Sequence, residues 1–100
     1  MAIGMDITEY LKDYHNTEKT AIKGRDLCVL FNLHSKQLRN VVSDLRRDGK
    51  PICSSNAGYW YSEKAEDIDC TITRLSEQVK NMSRSIEGLY KAKGAVKDVE

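Results

Sequence analysis

The chain is sparing with the residues that would signal secretion, a membrane or catalysis. Its three cysteines, Cys28, Cys53 and Cys70, are odd in number and show no CxxC spacing. That pattern argues against a disulfide framework and for reduced thiols in a cytosol. Cys28 and Cys53 are expected as small core residues and Cys70 as an exposed thiol. No run approaches the roughly 18 apolar residues of a membrane helix, and no signal-peptide pattern opens the chain. A soluble, cytoplasmic protein is therefore expected. There are only two histidines, His15 and His34, and neither has the spaced acidic, His or Cys partners that a metal site or an acid–base pair needs. With no phosphate-cradling glycine loop either, neither an enzyme nor a cofactor or metal is expected.

Net charge is equally scarce, at +1 over 100 residues. Read by region it is uneven. Residues 1–33 carry four Lys/Arg against five Asp/Glu, residues 34–50 five against two, and residues 51–100 seven against eight. The excess therefore sits on one short segment, which suits a focused anionic contact better than a polyanion sponge.

That segment has helical periodicity. Leu38, Val42 and Leu45, with Val41 beside them, form one apolar stripe. Opposite lie Lys36, Asn40, Ser43 and Arg47, flanked by Gln37, Arg39 and Arg46. Amide and guanidinium forks for base edges and cations for phosphates are what a major-groove reader requires. His34 or Ser35 can cap the helix start, and Gly49 can end it in a left-handed cap. The one proline, Pro51, cannot continue it. Ile52-Cys53-Ser54 and Tyr59-Trp60-Tyr61 then read as two strands joined by a four-residue loop, Ser55-Asn56-Ala57-Gly58. Alternation puts one face of the aromatic run in the core, with Trp60 or its neighbours lying over the hairpin.

Upstream, Asp6 and Glu9 form a capping-box-like start to a first helix bearing Ile7, Tyr10, Leu11 and Tyr14. His15 to Thr20 is loop-like, and Thr20-Ala21-Ile22 can add a short third strand. Gly24 opens the next helix, whose Leu27, Cys28, Leu30 and Phe31 are expected to face the core, with Leu33 filling the turn.

Helix, turn, basic helix and hairpin in one unit resemble the bacterial and phage winged helix-turn-helix regulators. The shared residues are Leu45-Arg46, Gly49, Pro51-Ile52, Ser54, Gly58-Tyr59 and Ser62, within a resemblance covering roughly residues 5–63. A departure lies at His34, where the family usually has a capping Ser; Ser35 follows it. The resemblance implies a helix from His34 through Asp48 in the major groove and a hairpin wing on the flanking backbone or minor groove. By that likeness Ser35, Lys36, Gln37, Arg39, Asn40 and Ser43 belong to the groove-facing helix, with Arg46, Arg47, Lys50, Ser55 and Asn56 near phosphates.

The last third carries a second pattern. Ile68, Ile72, Leu75, Val79, Met82, Ile86 and Leu89 alternate spacings of four and three over three heptads. Ile72, Val79 and Ile86 at a with Leu75, Met82 and Leu89 at d favour a two-stranded parallel coiled coil. The flanking Thr71, Ser76, Gln78, Ser83, Ser85 and Tyr90 carry no charge to set orientation, so a broader bundle or packing onto the chain's own domain stays open.

The expected architecture is mainly α with a small β-hairpin: a winged helix-turn-helix domain over residues 1–63, a self-associating helix over 64–93 and a flexible tail over 94–100. Its expected partners are double-stranded DNA and a second copy of the chain, with a protein partner possible and no membrane. Three functions fit: a small dimeric transcriptional regulator, a phage or mobile-element replication or packaging accessory, and a protein-interaction adaptor on a winged scaffold.

Overall fold

The computed structural model describes residues 3–96. In chain order they form α1 (Ile3–Tyr14), a 3-10 turn (Glu18–Thr20), α2 (Gly24–Phe31), α3 (Ser35–Arg47), β1 (Ile52–Ser55), β2 (Gly58–Tyr61) and α4 (Ala65–Ala95). The fold is thus mainly helical, with one antiparallel hairpin and a long C-terminal helix.

The apolar periodicities meet in a single cluster. Ile7 and Leu11 of α1, Leu27 of α2, and Leu38, Val42 and Leu45 of α3 are buried together with Ile22 and Ile52. Each such side chain contributes roughly 1.5–3 kcal/mol on burial. Tyr10, Phe31, Leu33, Val41, Tyr59 and Tyr61 close the rim of this core. Leu30 does not join it and is 55% exposed. α2 ends one residue later, and its inward arc is filled by Leu27, Cys28 and Phe31. Cys53 is buried, Cys28 half-buried and Cys70 exposed, all as free thiols.

Helix ends follow from local chemistry. α1 begins at Ile3, so Asp6 lies in the first turn, where its charge opposes the helix dipole favourably, and does not act as the N-cap. α2 stops because Asn32 adopts a left-handed conformation, φ 53°. The Leu33 N–H then returns to the Cys28 carbonyl at 2.9 Å, a Schellman-type closure. α3 ends the same way: Gly49 has φ 89°, and the Lys50 N–H reaches the Leu45 carbonyl at 2.9 Å. At its start His34 holds the N-cap position, and its N–H donates to the Gln37 side chain at 2.8 Å.

The hairpin is tighter than the spacing of its apolar runs suggests. Ser55 pairs with Gly58, leaving a two-residue loop, Asn56-Ala57, in place of the expected four. In this register Tyr59 and Tyr61 face the helical core, and Cys53 opposite Trp60 faces the other way. The expected third strand shrinks to one residue, because Thr20 is drawn into the 3-10 turn. Ile22 alone bridges Tyr59, with N–H···O distances of 2.9 and 2.8 Å.

α4 crosses the second face of the hairpin. The Trp60 indole donates to Asp67 at 3.2 Å, and Thr71 Oγ1 accepts the Ser54 N–H at 3.3 Å on the open edge of β1. Thr71, beside the heptad seam, is the residue of α4 that is buried. Of the seam, Ile68 and Leu75 are half-buried against the chain's own domain. Ile72, on the docked part, is 54% exposed, and Val79, Met82, Ile86 and Leu89 are 49–70% exposed along the projecting part of the helix. α4 runs to Ala95, two residues past the expected boundary; residues 97–100 of the expected tail lie outside the described residues.

Candidate nucleic-acid interface

α3 buries Leu38, Val42 and Leu45 and therefore turns the opposite arc outward. Lys36, Arg39, Asn40, Ser43 and Arg47 are all exposed there. Arg47 is held by Asp44 at 2.9 Å, but both side chains are about 70% exposed, at 73% and 69%. Such a pair contributes at most about 1 kcal/mol and exchanges readily for another anion.

One flank of this arc opens into a groove of about 840 Å³. α3 supplies Arg39, Ser43, Arg46 and Arg47 to it, and the hairpin supplies Ser54, Ser55, Asn56, Gly58 and Tyr59. Lys23, just before α2, and Arg74, Leu75 and Gln78 of α4 complete the lining. Five cations and no carboxylate line this surface. Among the described residues Lys23, Arg39 and Arg74 form no ion pair. The Lys23 ammonium instead donates to the Asn56 carbonyl, tying the hairpin tip to the start of α2.

The expected site residues divide into three groups. Arg39, Ser43, Arg46, Arg47, Ser55 and Asn56 are brought to the groove, and Lys36 and Asn40 share the outer face of α3 beside it. Ser35, Gln37 and Lys50 are placed elsewhere. Gln37 accepts the His34 N–H at the helix start, and Lys50 lines a separate apolar hollow with Ile52, Ile68 and Ile72. Two groove residues also have structural tasks. Arg46 donates from Nε to the Ile52 carbonyl at 2.8 Å and from Nη2 to Ser54 Oγ at 3.0 Å, joining α3 to β1. Burial at this junction lowers its pKa from the ordinary arginine value. Ser55 donates to Glu18 at 2.8 Å and accepts the Ala57 N–H at 3.0 Å, which fixes the loop.

Lys23, Arg74 and Gln78 are additions that the sequence pattern did not single out. Lys23 lies outside the basic helix. Arg74 and Gln78 reach the groove through the direction α4 takes from the hairpin, which no local periodicity encodes. Among the described residues no cluster of metal-ligating side chains is present, and no helix is long and apolar enough to cross a membrane. No protein-family model, curated protein or solved structure matches the chain.

Proposed function

We propose that the chain is a winged helix-turn-helix protein that binds double-stranded DNA sequence-specifically, as a small dimeric transcriptional regulator of a bacterial or phage-encoded kind. The observation that carries this reading is the outward face of α3, continuous with a carboxylate-free groove that it shares with the hairpin. The element order, with Ile22 bridging the hairpin between α1 and α2, supports the same assignment.

In this reading α3 is the recognition helix. Arg39 and Asn40 offer forks for guanine and adenine edges, while Lys36 and Arg47 neutralise flanking phosphates. The hairpin is the wing, with Asn56 at its tip. Roughly five phosphate contacts per copy give a binding constant that falls steeply with salt, so one copy binds weakly. Pairing two copies through the apolar stripe of α4 makes the second contact nearly intramolecular. A two-fold pair then selects half-sites about 34 Å apart, or a multiple of that.

The test is selection from a randomised duplex library at two salt concentrations, with solution mass measured in parallel. An enriched inverted repeat bound by a dimer supports the regulator. Binding without enrichment moves the chain to a replication or packaging accessory role. Absence of binding at low salt sinks the DNA reading. The exposed stripe of α4 then favours a second reading, an adaptor that docks a protein through this helix.

A further inference from the structure

α4 reaches the groove at a defined point. Thr71 is buried against β1, and on the next turns Arg74 and Gln78 line the groove together with Arg39, Arg46 and Arg47. Arg74 is half-buried and forms no ion pair among the described residues. It acts electrostatically on Arg46 across the groove, disfavouring the charged form. The acids nearest to it in sequence form no ion pair with it: Glu77 faces Lys80 at 3.9 Å, Asp69 is exposed and Asp67 accepts from the Trp60 indole. Like charges held on facing elements repel, and the repulsion is relieved by an anion placed between them. Helix–hairpin packing, and not chain flexibility, keeps these guanidiniums together.

We propose that α4 is part of the DNA interface: Arg74, with Gln78 one turn on, clamps the phosphodiester backbone of the duplex against the cations of α3. The proposal rests on the duplex-binding reading above and adds a third wall to its site. A guanidinium fork matches two non-bridging phosphate oxygens, and the Gln78 amide supplies a neutral donor to the same backbone. Such contacts position the duplex and carry no sequence information. Because Arg74 is placed by the docked part of α4, the helix that pairs two copies also helps to orient each copy on its half-site.

The experiment is the salt dependence of binding to a random-sequence duplex, followed by fluorescence anisotropy. It compares the unmodified chain with Arg74→Gln, Arg74→Lys and Arg84→Gln, the last removing a cation from the same helix beyond the groove. Arg74→Gln is expected to make the slope of log K against log salt shallower by about one per subunit, with several-fold weaker binding at low salt. Arg74→Lys keeps the slope, and Arg84→Gln matches the unmodified chain. An unchanged slope in Arg74→Gln, while Arg39→Ala still weakens binding, overturns the clamp and leaves the DNA reading standing. Equal losses in Arg74→Gln and Arg84→Gln overturn it as well, since any helix cation would then serve. If both Arg74 variants lose binding together with altered Trp60 emission, the residue holds α4 in place and the clamp is refuted. Failure of the unmodified chain to bind duplex at low salt refutes both readings.

Discussion

Arg46 and Arg39 lie seven residues apart on α3, on one flank of the same helix, and do different work. Arg46 is committed to Ile52 and Ser54, so Arg46→Ala should lower stability by about 1–3 kcal/mol in urea titration. Arg39→Ala should leave the urea midpoint in place and, on the DNA reading, cut sequence preference by roughly 1–3 kcal/mol in competition binding. The outward arc that holds Arg39 and Asn40 was legible from the apolar stripe opposite. The role of Arg46 was not, because it depends on how closely β1 returns along α3. Glycine positions divide the same way. A Cβ at Gly58, φ 127°, falls 2.3 Å from the Ile22 carbonyl oxygen, whereas at Gly49, φ 89°, it meets open space. Gly49→Ala should therefore cost about 1 kcal/mol, and Gly58→Ala distinctly more because it also breaks the Ile22–Tyr59 bridge. Thermal melts of the pair decide this. Asp67 provides a pH dependence. Hydrogen bonds from the Ser62 hydroxyl and the Trp60 indole hold its pKa below the ordinary carboxylate value of 3.8. Its contribution is complete above that value and is lost as pH falls through the lower folded-state pKa. An acid titration followed by Trp60 emission should show this limb, and Asp67→Asn should flatten it.

Among the elements, the helices were read from spacing and capping, and the departures lie where tertiary contacts decide. A four-residue loop suits the apolar runs of the hairpin, but Ser55 pairs with Gly58, which brings both into the strands and shortens the loop to two. α4 shows the limit more sharply. A heptad count treats Ile68 through Leu89 as one seam, whereas packing divides it near Leu75 into a docked part and a projecting part. Thr71 is buried because a hydroxyl can accept the unpaired N–H of Ser54, which no isoleucine could do. If the projecting stripe pairs two copies, replacing Val79 and Ile86 with Glu should yield monomers. Sedimentation checks the mass. Because both residues are exposed, the thermal midpoint of the globular part should not fall; unchanged mass would exclude this stripe as the dimer contact.

The described residues measure 58 × 30 × 23 Å, and α4, at 31 residues, is the longest element. From Thr71 to Ala95 the helix rises about 36 Å at roughly 1.5 Å per residue. Anchored at one end by a threonine, an indole and two aliphatic side chains, it behaves as a lever arm. A tilt of about 10° at the anchor moves the far end by about 6 Å over such a length, nearly two base-pair steps. If two copies pair through α4 on DNA, as proposed, the stiffness of the Trp60–Asp67–Thr71 mounting sets how strictly they gauge the distance between their half-sites. Loosening that mounting should broaden the range of spacings accepted, without altering which bases are read.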